Sequence, residues 1–408
     1  MTLPRSRHRL AAGLVAVALA AAAALSGCTP EQVERAGEDV AEQWTVPAFY
    51  QQPHPVPAGE PGTLIRSQRI LGAPNGAKAW RILFRSTDVL GHPVVNSGIV
   101  VAPASAAPAG GRTVVSWGHP TTGSAQRCAP SAGIDPFDLV EGLTGFLQRG
   151  YIVSYTDYTG MGTSGPNSYL IGDTEGKNML DTARATRELL GAEASNRLVL
   201  WGHSQGGQAA LFAGQLAAGY APELDLRAVA VAAPAADLGD LIEADIGDIS
   251  GVSISSYAFT AFEEVYGPST PGATLDRILT PAAIAALPSM ARLCLIGQNK
   301  ALHAIGEPLV GKFLAADPET TEPWATLLSQ NTPGAVPIPV PLFLAQGDTD
   351  QLVRPQATAA FVEHERAIGT RVSFLRIPDT GHGLVALRAL HDLFEWLPAN
   401  RAGATVQD

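Results

Sequence analysis

Apolar and polar positions change rhythm along the chain. Leu10 to Leu25 is an uncharged Ala/Leu/Val run, and residues 29–60 are polar and rich in proline. Short apolar runs then predict strands at 79–86, 94–102, 113–117, 151–156, 197–201 and 228–233, and again at 341–346 and 371–377. Helical periodicity falls between them, at 137–149, 176–191, 205–219, 355–368 and 384–397. Asp88 and Gly91-His92-Pro93 separate the first two runs, which suits an antiparallel pair. Thr113 to Trp117 is nearly continuous apolar sequence, as in a buried parallel strand. Strands alternating with helices imply an α/β fold, a mostly parallel sheet with helices on both faces.

The alternation stops between Ala235 and about Pro337. A hundred residues set between core strands predict a helical cap insertion, 235–337, dividing a core of 61–234 and 338–408. Residues 281–316 carry four charges only, Arg292, Lys300, Glu307 and Lys312. Such a stretch is expected to bury its own small core, or to turn some of its apolar surface to a substrate, and the two are compatible.

Composition sharpens the ends. Arg5, Arg7, His8 and Arg9 precede the apolar run, which is short for a membrane span, so 1–27 reads as an export signal. Leu25-Ser26-Gly27-Cys28 resembles a bacterial lipobox, with Cys28 as the lipidated mature N-terminus; ordinary signal cleavage is the alternative. Residues 28–60 then form a tether and an arm on a body expected to be soluble. The protein is expected at the outer face of the membrane, held by that anchor, or secreted. Removing Arg5, Arg7 and Arg9 with the signal moves the formal charge from −11 to −14. Such acidity argues against nucleic acid as a partner. With Cys28 lipidated, Cys128 and Cys294 remain as an even pair in an exported chain, expected as a disulfide, with two buried thiols as the alternative.

The chemistry centres on Gly202-His203-Ser204-Gln205-Gly206, between the strand Arg197–Trp201 and a helical run from Gln208. Strand, Gly-x-Ser-x-Gly and helix together form the nucleophile elbow of an α/β-hydrolase. A serine hydroxyl needs a base, and the base needs an acid to hold its tautomer. In this fold the order is Ser, acid, His. His382, in Asp379-Thr380-Gly381-His382-Gly383 after the last strand, is the candidate base. His364 and His391 fall within helices, and His303 falls in the cap. Two aspartates compete after the penultimate strand, and Gly347-x-x-Asp350-x-x-Val353 selects Asp350, leaving Asp348 to cap the turn. Asp379 is the weaker rival, better suited to anchoring its loop.

The oxyanion hole needs two backbone N–H donors. Gln205 supplies one. The loop Trp117-Gly118-His119-Pro120-Thr121-Thr122-Gly123 supplies the other from Thr121 or Thr122, because Pro120 has no N–H. His119 is read as holding that loop, and His203 as pointing away from Ser204. Gly160-Met161-Gly162-Thr163-Ser164-Gly165 matches a dinucleotide fingerprint in letters, but Pro166 follows and no helix opens inside it. No cofactor or metal motif is present.

Several stretches together are similar to the secretory lipase family of fungi and actinobacteria. They are Trp117–Gly123 with Cys128-Ala129-Pro130-Ser131, Asp157–Gly162 with Asp181-Thr182-Ala183-Arg184-Ala185, the elbow, and Asp379–His382. The likeness covers roughly 45–400. It implies an α/β-hydrolase core, a cap inserted after the sixth strand, hydrolysis of carboxylic esters, often acylglycerols, and a disulfide from Cys128 to the end of the cap, which fits Cys294. Pro120 departs from the glycine that relatives often carry. The rival readings are a short-chain carboxylesterase, a peptidase, and a lipidated binding protein that uses a hydrolase fold without catalysis.

Overall fold

The computed structural model describes residues 46–399. The predicted export signal, Cys28 and the first part of the tether lie outside the described residues. Nine strands form one sheet. They are β1 (Leu64–Ile70), β2 (Ala77–Thr87), β3 (Pro93–Pro103), β4 (Arg112–Gly118), β5 (Ile152–Thr156), β6 (Ala194–His203), β7 (Asp225–Ala232), β8 (Leu342–Gly347) and β9 (Val372–Ile377). Their order is β1-β2-β3-β5-β4-β6-β7-β8-β9. Pairings from β1 to β5 across β3 are antiparallel, and all pairings from β5 to β9 are parallel.

Eight of these strands coincide with the apolar runs. β1 was not expected as a strand. It is an edge strand, mostly open to solvent, with Arg66, Ser67, Gln68 and Arg69 in its middle. An edge strand paired on one side does not require an apolar run, and charge there discourages further pairing.

Side chains alternate across the sheet as the pleat requires. Leu198 and Leu200 of β6 join one core with Met179 and Leu180 of α2 (Gly172–Leu190) and Ala209 to Leu211 of α3 (Gln205–Tyr220). Val199 and Trp201 join the opposite core with Leu143 and Phe146 of α1 (Leu143–Gln148). Each fully buried Leu, Val, Met or Phe among them contributes about 1.5–3 kcal/mol. α1 is shorter than its periodicity suggested because Gly142, at φ 93°, interrupts the helical backbone. α2 begins at Gly172, ahead of the expected 176, with Asp173 and Glu175 in the first turn where the helix dipole favours acids.

Five helices lie between β7 and β8: α4 (Leu238–Asp245), α5 (Ile249–Tyr266), α6 (Pro281–Met290), α7 (Leu295–Gly306) and α8 (Trp324–Gln330). Their starts follow capping chemistry. Asp237 accepts from the Asp240 N–H, Asp248 from those of Ser250 and Gly251, and Thr280 from that of Ala283. Phe259, Phe262, Met290, Leu302, Phe313 and Trp324 build a core of their own. α9 (Pro355–Ala367) and α10 (Val385–Ala399) follow, with Phe394 of α10 packed edge-on against Phe146 of α1. Cys128 and Cys294 form a disulfide, joining the loop after β4 to the start of α7.

Candidate active site

The elbow follows from close backbone packing. A Cβ on Gly202 would lie 2.0 Å from the carbonyl oxygen of Gly206, and a Cβ on Gly206 would lie 2.0 Å from that of Gly118. Only glycine lets β6, the turn and β4 approach so closely. Ser204 sits between them at φ 57°, ψ −119°, immediately before α3. A non-glycine residue in that region carries roughly 1–3 kcal/mol of strain, which the surrounding packing offsets.

Three side chains meet there from distant parts of the sequence. His382 Nε2 lies 2.9 Å from Ser204 Oγ, and His382 Nδ1 lies 2.9 Å from Asp350 Oδ2. Asp350 is 1% exposed. Its Oδ1 accepts from the N–H groups of Leu352 and Val353, both at 2.9 Å, and its Oδ2 from Gln346 Nε2 at 3.3 Å. That cradle is the physical content of the Gly-x-x-Asp-x-x-Val turn. Asp348 faces outward and pairs with Arg376 at 2.8 Å. Asp379 takes φ 49°, and its carbonyl accepts from Arg388. The two loops are joined where the Thr349 N–H donates to the Thr380 carbonyl at 3.1 Å.

Two threonines stood as candidates for the oxyanion loop, and their surroundings differ. Thr121 lines the same cavity as Ser204 and Gln205, and its hydroxyl shares a hydrogen bond with Tyr169 at 2.7 Å. Thr122 turns toward the disulfide, its hydroxyl donating to the Cys128 carbonyl at 2.9 Å. Gln205 stands at the first turn of α3, and its side chain donates to Glu175 Oε1 at 2.7 Å. Burial pushes the Glu175 carboxyl well above the usual carboxylate range, against the opposing bonds from Gln205 and the Leu170 N–H.

The cavity at Ser204 is apolar along most of its wall. Leu238, Leu241, Ile254, Phe259, Phe262 and Leu328 contribute. All six come from the helices between β7 and β8, but from 238–262 and 328. Residues 281–316 contribute nothing to this wall. Ala283, Leu287, Met290, Leu302, Leu309 and Phe313 point into the helical core instead, which accounts for the low charge of that stretch.

A family model described as secretory lipase matches residues 138–407. The chain belongs to the secretory lipase family. Its sequence is 28% identical over 208 residues to a probable inactive lipase of Mycobacterium tuberculosis, covering 47% of this chain and 46% of that one. It is 24% identical to lipase A of Moesziomyces aphidis over 363 residues, covering 82% and 75%. The chain thus spans about half the length of the first of these relatives. The crystal structure of Candida antarctica lipase A in its closed state superposes with a TM-score of 0.70 at 20% identity, over 87% of this chain and 86% of that one. At that identity the likeness concerns the fold, an α/β-hydrolase.

Other polar residues of the chain are placed by structure rather than by motif. His119 is fully buried against Tyr158, with Nδ1 2.8 Å from the Pro120 carbonyl, and burial lowers it from 6.5 to about 4. It holds the loop as a neutral ring. His364 bonds the Gly334 carbonyl, and His391 sits exposed beside Glu395. Gly160 to Gly165 is loop, with the Gly162 N–H donating to the Gln126 carbonyl and the next helix starting at Gly172. His203 makes no bond to Ser204. Its Nδ1 meets Glu141 Oε2 at 3.0 Å and its Nε2 meets the His382 carbonyl at 3.1 Å. No local motif announces the Glu141, Tyr169 and Glu175 contacts, because each partner is 30 to 62 residues away in sequence.

Proposed function

We propose that the chain is an exported serine hydrolase of carboxylic esters, a lipase acting on acylglycerols. Ser204 Oγ attacks the ester carbonyl as His382 Nε2 takes its proton. Asp350 keeps the other ring hydrogen on Nδ1 and stabilises the imidazolium that forms. The N–H groups of Gln205 and Thr121 stabilise the tetrahedral oxyanion, assisted by the positive end of α3. The alcohol leaves with the proton from His382. Water then attacks the acyl-enzyme by the same route and frees the acid.

The observation that carries this reading is the unbroken chain Ser204–His382–Asp350, with Ser204 lining an apolar cavity. A protein that only binds has no use for a strained serine, a base and a buried acid in that order. Residues 235–337 act as a cap whose first helices form the acyl wall, and the apolar wall favours a hydrocarbon acyl group over a short soluble ester. Cys28 is proposed as a lipid anchor that keeps the enzyme at the outer face of the membrane.

A series of glyceryl and aryl esters of increasing acyl length, with and without an oil–water interface, tests the substrate class. Rates that rise with chain length and at the interface support a lipase. Rates confined to acetyl and butyryl esters, indifferent to the interface, support a short-chain esterase instead.

A further inference from the structure

Besides Ser204, the side chains of Asp350 and His203 bond His382 directly, and the reaction scheme uses only the first. Asp350 holds the ring. The main chain on either side is tied down, by the Thr349 N–H on the Thr380 carbonyl at 3.1 Å and the Leu384 N–H on the Gly381 carbonyl at 3.2 Å, which leaves the carbonyl of His382 itself to be held. On β6, residues 199, 201 and 203 share a face. Trp201 and His203 therefore reach the same loop. Trp201 Nε1 donates to the Glu141 carbonyl at 2.9 Å, and the neighbouring Trp117 Nε1 donates to the Leu139 carbonyl at 3.2 Å. With its main chain pinned by β6, and Leu139 pinned by β4, Glu141 presents its carboxyl to His203 Nδ1 at 3.0 Å. That contact sets the rotation of the His203 ring. Nε2 then lies 3.1 Å from the His382 carbonyl. A carbonyl only accepts, so Nε2 carries the hydrogen and donates it. The two imidazoles lie against each other, ring centres 5.0 Å apart, and His203 is 3% exposed.

We propose that His203, oriented by Glu141, is a positioning residue for the general base: it anchors the His382 main chain so that Nε2 stays within reach of Ser204. This rests on the serine-hydrolase reading of the site. The step it serves is sensitive to geometry, because a displacement near 1 Å at a reacting group lowers the rate by about 100-fold.

The test uses two substitutions at one position. His203→Phe keeps an aromatic ring but has no donor, and His203→Gln keeps an N–H at the distance of Nε2. The readouts are kcat, KM and the rate of Ser204 modification by a fluorophosphonate, with melting curves as a control. In His203→Phe, kcat and the modification rate fall together by about 10–100-fold while KM stays within about two-fold. His203→Gln recovers most of both. If His203→Phe does not fold, Glu141→Ala, which leaves the ring in place but unoriented, is predicted to lower kcat in the same way without a change in KM. A folded His203→Phe with wild-type kcat overturns the proposal, as do equal losses in His203→Phe and His203→Gln. Wild-type kcat in Glu141→Ala overturns the orienting role of Glu141. A wild type that neither cleaves esters nor reacts with the probe removes the underlying reading, and this proposal with it.

Discussion

Replacing both cysteines of the Cys128–Cys294 bridge by serine tests how far the helices between β7 and β8 depend on their tie to the sheet. The bridge closes a sequence separation of 166 residues. Loop-closure entropy for that length corresponds to about 5 kcal/mol at 25 °C, at the top of the range measured for single disulfides. Local packing adds a functional consequence. A Cβ on Gly123 would lie 2.7 Å from Cys128 Sγ and 3.0 Å from Cys294 Cα, so the end of the Thr121–Thr122 loop rests on the bridge. The Ile296 N–H also donates to the Thr122 carbonyl at 3.3 Å. Without the bridge, α7 and this loop lose their covalent tie and keep the weaker Ile296–Thr122 hydrogen bond. The expected result in urea unfolding is a loss of about 2–5 kcal/mol. Ester hydrolysis is expected to fail at urea concentrations below the main unfolding transition. An unfolding free energy within about 1 kcal/mol of wild type, with activity lost only at the main transition, would refute the assignment of an anchoring role.

Other outcomes follow from single contacts. In Gly206→Ala the new methyl meets the Gly118 carbonyl oxygen, backbone that cannot yield without moving β4, so stability falls by about 1–3 kcal/mol and hydrolysis falls with it; unchanged melting and kcat would contradict the close packing. Asp350→Asn is expected to lower kcat by as much as about 10⁴-fold by losing control of the His382 tautomer, whereas Asp348→Asn breaks only a surface pair worth less than about 1 kcal/mol; equal effects in a kinetic comparison would reopen the choice of acid. Burial, with Asp248 adding and Arg354 opposing, raises the Asp245 carboxyl from 3.8 to about 7. The folded chain therefore keeps a proton that the unfolded chain releases, and the contribution present below about pH 4 is lost as pH rises to about 7. Asp245→Asn should match wild type near pH 4 and exceed it by up to about 4 kcal/mol near pH 8; a gap in unfolding free energy that does not change with pH would contradict this.

Most of the core was legible because its signals are local. Gly202, Ser204 and Gly206 announce a turn too tight for side chains, and the aspartate cradle is written in Gly347, Asp350 and Val353. The Ser204, His382 and Asp350 side chains meet in the fold as their order in the chain suggested. β1 was missed because an edge strand satisfied on one side carries arginines where a central strand carries valines. Residues 281–316 offered two readings, since low charge describes a self-contained helical core as well as a substrate wall. The proposed preference for Thr121 over Thr122 rests on which of the two lines the cavity, which pattern cannot supply. The contact of His203 with Glu141 depends on register across the sheet, and nothing near either residue records it.

The measurement that bears most directly on the central claim is the intact mass of the protein after reaction with a fluorophosphonate, for wild type and for Ser204→Ala. Nucleophilic catalysis by Ser204 predicts one adduct, located on Ser204 by peptide mapping, with loss of ester hydrolysis in step with its formation, and no adduct on Ser204→Ala. A wild type that cleaves esters without forming the adduct, or an adduct that persists in Ser204→Ala, would contradict the account.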